Sequence, residues 1–181
     1  VPEGYEISFV GADYEQIVDR DLTVYQPLVT KTVKMNFNVK KAGDDSTAVD
    51  SKEYTMTVTG KYTAEDGDNA KPNVIPELAE WKGAKGGSFE ISDSSRIVVA
   101  TKDKAELSAM AEEFKNDYKE ITGKSIEIVY ADQASAGDFF FTLEAAGNGL
   151  KEEGYSMNVT DKVEVKAEQK AGAYWSTRTI L

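Results

Sequence analysis

The sequence predicts an α+β protein: a small antiparallel β-sandwich followed by a β-sheet domain with helices packed on one face. Three observations predict it. Across residues 1–70, short runs alternate apolar and polar residues at the period of a half-buried strand, and no helical repeat is convincing there. Residues 103–122 carry one apolar stripe at the helical period. Further alternating runs come after that stripe, and the chain closes on a second helical pattern, the order expected of a sheet covered by helices.

Taken in order, Tyr5, Ile7 and Phe9 alternate with Glu6 and Ser8, and Val33, Met35, Phe37 and Val39 alternate with Lys34, Asn36 and Asn38. Tyr54, Met56 and Val58 alternate with Thr55, Thr57 and Thr59. Each run turns one face to a core and the other to water. Lys41-Ala42-Gly43-Asp44-Asp45-Ser46 reads as a loop from its Gly/Asp/Ser content, so the second and third runs are expected to form a hairpin with a long connection. The first domain, residues 1–70, is therefore expected to resemble an immunoglobulin-like sandwich. Ala64 to Asn73 has linker chemistry, polar and punctuated by Gly67 and Pro72.

The second domain, residues 71–181, opens with expected strands at Phe89-Glu90-Ile91 and Arg96 to Ala100. In the helix 103–122, Leu107, Met110, Ala111, Phe114, Tyr118 and Ile121 share one face. Asp103 is placed to cap its N-terminus, with Glu106 in the capping-box position, and Gly123 to end it as the C′ residue. Ile126, Ile128 and Tyr130 form the next run, then Phe139, Phe141 and Leu143, then 154–160 and 163–167. Ala171 to Leu181 reads as a helix without the glycine, basic cluster or polar tail that closes most helices, so the parent protein is expected to continue past Leu181.

Composition excludes several classes of function. The 181 residues contain no cysteine and no histidine. Disulfides, thiolate nucleophiles, imidazole acid/base chemistry and the usual zinc sites are thereby ruled out, and any metal would be a hard ion held by oxygen. With 21 Lys+Arg against 32 Asp+Glu, the net charge is -11, and no basic run is long enough to follow a phosphate backbone. Nucleic acid and anionic membrane surfaces are not expected partners. No apolar stretch approaches the roughly 18 residues that span a bilayer, so membrane insertion is not expected either. The acidic, cysteine-free composition suits a secreted or surface-displayed bacterial protein.

Four segments together resemble a known family. Pro72-Asn73-Val74-Ile75-Pro76-Glu77-Leu78-Ala79-Glu80-Trp81 is a proline-bearing lead-in. The helix 103–122 with Gly123-Lys124 follows. Leu150-Lys151-Glu152-Glu153-Gly154-Tyr155-Ser156-Met157-Asn158-Val159 holds a Glu-Glu-Gly-Tyr motif. Ala171-Gly172-Ala173-Tyr174-Trp175-Ser176-Thr177-Arg178-Thr179-Ile180-Leu181 combines Ala-Gly with aromatic residues. Over about residues 72–181 this resembles the non-catalytic α+β domain that precedes the catalytic barrel of family 20 glycoside hydrolases, the β-N-acetylhexosaminidases and lacto-N-biosidases. Ser176 departs from a frequent glycine, and Ile180 from a frequent leucine. The first seventy residues carry no such resemblance.

The resemblance implies a secreted carbohydrate-active parent acting on terminal N-acetylhexosamine glycans by substrate-assisted hydrolysis. Its catalytic Asp-Glu pair would sit on a barrel beyond Leu181. That barrel is the expected partner, and the fragment alone is expected to be inactive. Catalytic, cofactor-binding and metal residues are therefore assigned to none of the 181 positions, and no cofactor is expected. A family 84 accessory region, from O-GlcNAcase or hyaluronidase-like enzymes, and a free-standing surface adhesion or carbohydrate-binding protein are the alternatives.

Several residues still invite a functional reading. Glu152-Glu153 is an acidic pair at the start of a strand, where adjacent side chains diverge into water. Asp44-Asp45 and Glu65-Asp66-Gly67-Asp68-Asn69 supply oxygen ligands but lack the full calcium-loop pattern. Trp81, Trp175 and the nine tyrosines could stack on sugars, although structural packing is the commoner use. Asn158-Val159-Thr160 fits the N-glycosylation acceptor pattern. Gly86-Gly87 reads as a turn and lacks the setting of a phosphate cradle.

Overall fold

A computed structural model describes residues 1–62, 69–84 and 88–181 of the chain. The chain divides into two compact units, one formed by Val1–Lys71 with Glu77–Gly83 and the other by Pro72–Pro76 with Ala84–Leu181. The first is built on an antiparallel sheet, the second on a mixed sheet with two helices packed against it. The protein is thus α+β. Residues 64–68 of the linker read at 64–73, and Gly86-Gly87, lie outside the described residues.

In the first unit the expected strands form around β2, Lys31–Lys41. On one side lies β1, Tyr5–Ala12, with Phe9 opposite Phe37 and Ala12 opposite Met35. The other side is shared end to end by β3, Asp44–Asp50, and β4, Tyr54–Val58. Ser51 marks the break between them, its N–H donating to the Phe37 carbonyl at 2.7 Å while its Oγ accepts the Phe37 N–H at 3.0 Å.

Two expectations change here. Asp44-Asp45-Ser46 does not belong to a loop: it opens β3, and the turn shrinks to Ala42-Gly43, where Gly43 takes φ +77. The strand was invisible to alternation because it runs along an outer lane with nearly all its side chains in water, leaving the backbone ladder to β2 to define it. The apolar face of the sheet is closed by the segment between β1 and β2 rather than by a second sheet among the described residues. Ile17 and Val18 are fully buried there against Val33. Buried Asp19 organises that segment, its Oδ1 accepting the N–H groups of Asp21 and Thr23 at 3.0 and 2.9 Å and its Oδ2 the Tyr25 hydroxyl at 3.1 Å.

In the second unit, β5 is Arg96–Val99, α1 Lys104–Thr122, β6 Glu127–Tyr130 and β7 Phe139–Leu143. The antiparallel pair β8, Tyr155–Val159, and β9, Val163–Ala167, leads into α2, Lys170–Ile180. The sheet order is β6-β5-β7-β9-β8, parallel throughout except for β8 at the edge. In the register, Ile128, Ile97, Phe139 and Val163 lie in one row, and Val99, Phe141 and Val165 in a neighbouring row on the same face. Leu107, Met110, Phe114 and Ala173 bury against that face, so both helices lie on it, as the single stripe on α1 requires. Phe114 meets Phe139 and Phe141 edge-on, with centroids 5.4 and 5.8 Å apart.

Three local readings are corrected. Phe89-Glu90-Ile91 is not a strand; Phe89 instead packs edge-on against Phe139, centroids 5.0 Å apart, as a single plug. Asp103 stands at the N-cap position of α1, yet its carboxylate makes no capping bond and no capping box forms with Glu106. Its Oδ2 accepts the Leu143 N–H at 2.8 Å and the Thr142 hydroxyl at 3.0 Å, satisfying the end of β7, while a 3-10 turn at Thr101–Asp103 starts the helix. Ile121 leaves the buried stripe and is 62 % exposed. The reason is length: a helix of 19 residues runs about 28 Å, whereas strands of four or five residues run about 17 Å or less, so its last turn overhangs the sheet. Gly123 does close α1, at φ +72, donating its N–H to the Lys119 carbonyl at 2.8 Å.

Candidate functional site

The buried polar centre of the second unit lies where two strands begin. Arg96 opens β5 and Asp138 directly precedes β7, and because Ile97 lies opposite Phe139 the two charges meet. Asp138 is 1 % exposed. Its Oδ1 accepts the Arg96 N–H and Nε, each at 3.1 Å, and its Oδ2 accepts Arg96 Nη2 at 2.6 Å and the Ser135 N–H at 2.8 Å. Burial alone would push this carboxyl up, but the Arg96 guanidinium and the two N–H groups outweigh it and hold it below the usual carboxylate range.

That displacement has a direct consequence for pH. A carboxyl held low in the folded state makes the unfolded chain the better proton acceptor, so its stabilisation is fully present above the unfolded value of about 3.9 and is lost as pH falls through the lower folded value. Glu144, held low chiefly by Lys166, acts in the same direction. Thermal midpoints followed by circular dichroism are expected to change little between about pH 7 and 5 and to fall steeply below about pH 4. A midpoint that rises on acidification would contradict this assignment.

A cleft of about 990 Å³ opens at the other end of the sheet, where β5, β7 and β9 finish. Its floor is Ala100, Phe140 and Thr142, and its rim includes Lys102, Asp132, Glu144, Asn148 and Lys166. Phe140 and Thr142 alternate with the core residues Phe139 and Phe141, and Thr142 lies opposite Lys166, so these side chains stand on the helix-free face. The rim is wired internally. Lys166 Nζ lies 2.7 Å from Glu144 Oε1, and Asn148 Nδ2 donates to Glu144 Oε2 at 3.1 Å. Lys102 donates to the Leu143 carbonyl and lies 3.6 Å from Asp103 Oδ2, and Asp132 Oδ1 accepts the Thr101 N–H at 3.0 Å. Glu144 is therefore an acceptor of hydrogen bonds near neutral pH rather than a proton donor.

The helical layer presents a third feature. Arg178 Nη1 on α2 lies 2.6 Å from Asp117 Oδ2 on α1, with its guanidinium over the Tyr174 ring at 5.0 Å. Trp175, one turn before Arg178, is 45 % exposed and leans on Tyr174 with centroids 5.3 Å apart. Exposed Ile121 lies one turn beyond Asp117. Between α2 and the sheet there is no room for side chains at Gly172, where an added Cβ would come to 2.1 Å from the Gly154 carbonyl oxygen and 3.2 Å from the Ala167 Cβ. The glycines of the Glu-Glu-Gly-Tyr and Ala-Gly segments thus touch through their backbones. Tyr155 and Thr179 hydroxyls, 2.5 Å apart, tie the same strand to the same helix.

The remaining residues singled out in the sequence scatter. Glu152 and Glu153 are exposed in the turn before β8 and converge with no other acid. Asp45 pairs with Lys40 at 2.6 Å and Asp44 accepts the Ser46 N–H and hydroxyl, both in water. Residues 65–68 lie outside the described residues, and among the described ones no three acidic residues gather as metal ligands. Trp81 is half-buried in the first unit and Trp175 lies on the second. Asn158, Val159 and Thr160 are exposed at the end of the edge strand β8. Arg96 and Asp138 were not singled out as site residues, although each directly precedes a run of three apolar residues, Ile97 to Val99 and Phe139 to Phe141, the one signal that marks them.

Residues 71–181 match the family described as glycosyl hydrolase family 20, domain 2. No curated protein matches the chain.

Proposed function

We propose a function from one premise: this chain belongs to glycosyl hydrolase family 20, whose domain 2 it carries in residues 71–181. That domain is an accessory domain of β-hexosaminidase-type glycoside hydrolases, and no catalytic barrel is present among the described residues. In our reading, residues 71–181 support a family 20 catalytic barrel in a secreted or cell-surface bacterial parent protein, which acts on terminal N-acetylhexosamine glycans. The barrel would rest on the outward side of α1 and α2. The family match carries this reading, and the exposed Trp175 and Ile121 flanking the Asp117–Arg178 bridge supply an apolar surface of the kind an interface needs. Residues 1–70 would then serve as a spacer or attachment module.

The test is reconstitution. Residues 1–181 alone are expected to leave a chromogenic N-acetylglucosaminide uncleaved. Supplied as a separate polypeptide, the catalytic barrel encoded with this chain is expected to bind it in analytical ultracentrifugation. Trp175→Ala is expected to weaken that association about 30-fold, the effect of losing one anchor of about 2 kcal/mol. Turnover by residues 1–181 alone, or an association unchanged by Trp175→Ala, would overturn the arrangement.

A further inference from the structure

The cleft at the ends of β5, β7 and β9 belongs neither to the helical surface nor to the buried polar centre, and its chemistry is specific enough to name a ligand class. Its rim carries two lysines and two carboxylates, so its formal charge is zero. Lys166 is neutralised by Glu144 at 2.7 Å, while Lys102 is committed to the Leu143 carbonyl and lies near Asp103. An anion would find no unengaged cation there, and a metal ion would face two ammonium groups. A wholly apolar ligand would strip water from charged groups without replacing their hydrogen bonds. What the lining offers instead is mixed. It has donors in Asn148, the lysines and the Thr101 and Thr142 hydroxyls, acceptors in Glu144 and Asp132, and a half-buried aromatic ring, Phe140, in the floor.

These groups are also held in place before any ligand arrives. Glu144 is fixed from two sides, by Lys166 and by Asn148. The Asn148 backbone is fixed in turn by Glu168, whose Oε1 accepts the N–H groups of Asn148 and Leu150, each at 3.1 Å. Gly147 and Gly149, at φ +101 and +90, let this loop double back so that the amide faces the carboxylate. Pre-set donors and acceptors beside an aromatic floor match a molecule that offers alternating hydroxyl donors and acceptors on an apolar ring.

We propose that this cleft is a non-catalytic binding site for a neutral saccharide, recognised by Glu144, Asn148 and Lys166 at the rim and by the Phe140 ring beneath. The site lies wholly within the second unit and does not depend on where a barrel docks, so it stands or falls separately from the function proposed above.

The experiment is an amide-resolved NMR titration of the full 181-residue chain. The probes are N-acetylglucosamine, its β-1,4-linked dimer, galactose and lactose, with inorganic phosphate as the charged comparison. At least one neutral sugar is expected to cause saturable shifts at Thr101, Lys102, Leu143 and Asn148, with no matching response to phosphate. Asn148→Ala, an exposed loop change, is expected to weaken that binding about tenfold while leaving the spectrum otherwise intact. Absence of saturable shifts with all four sugars in the wild-type chain overturns the proposal even if the variant fails to fold. So do shifts centred on Trp175, a phosphate response in place of a sugar response, or an Asn148→Ala chain that binds as tightly as the parent.

Discussion

Replacing Asp138 with alanine is expected to destabilise the second unit by about 3 to 5 kcal/mol, a large part of the stability of an ordinary domain. The side chain is buried and accepts four hydrogen bonds, two from the Arg96 guanidinium and two from the N–H groups of Arg96 and Ser135. Alanine fills none of these roles. The guanidinium is partly exposed and can turn to water, but the Arg96 N–H at the start of β5 and the Ser135 N–H in the loop before β7 lose their acceptor, at about 1 to 3 kcal/mol each. Arg96→Ala is expected to cost less, because Asp138 keeps both N–H donors and can take up a proton. Urea unfolding followed by far-ultraviolet circular dichroism measures both variants. Equal midpoints for Asp138→Ala and the parent, or a larger loss for Arg96→Ala, would show that the carboxylate is not the anchor described.

Gly172→Ala is the second large effect, expected at about 3 kcal/mol although alanine is the better helix former by about 1 kcal/mol. The added methyl would meet the Gly154 carbonyl oxygen at 2.1 Å, and neither partner is a flexible side chain that could swing aside. Relief requires α2 to lift from β9, which would pull Ala173, Ser176 and Thr177 out of their buried positions. Gly123→Ala provides the contrast. Gly123 has φ +72 but nothing within 4 Å of the added methyl, so only the left-handed backbone cost of about 1 to 2 kcal/mol applies. Differential scanning calorimetry of the two variants is expected to rank Gly172→Ala well below Gly123→Ala. The reverse order would mean that α2 is seated more loosely than the structure has it.

What could be read from the sequence follows the range of the forces involved. Strands whose side chains alternate between core and water declared themselves locally, as with Val33 to Val39 or Phe139 to Leu143, and so did the stripe from Leu107 to Tyr118. Asp44 to Asp50 did not, because an outer strand defined by its backbone ladder has no side-chain period to read. Phe89 has the composition of a strand residue, but one ring filling one gap suffices there. Asp103 was read as a cap because its nearest neighbours allow it; the groups that claim it, Thr142 and Leu143, lie about forty positions away. The cleft was hidden for the same reason. Its lysines, carboxylates and amide come from separate strand ends, and only the parallel register gathers them.

The meeting of Gly154 and Gly172 governs which way the face of α2 that carries Trp175 is turned. Where a helix rests on a cushion of side chains, repacking one methyl group can roll it by several degrees. Here main chain sits on main chain, and the hydroxyl link from Tyr155 to Thr179 fastens the helix further along. The roll of α2 is therefore set by contact between main chains, and the side of the helix on which Trp175 stands follows from it. Drift in the surrounding apolar residues can alter how firmly the second unit holds together while leaving that bearing unchanged.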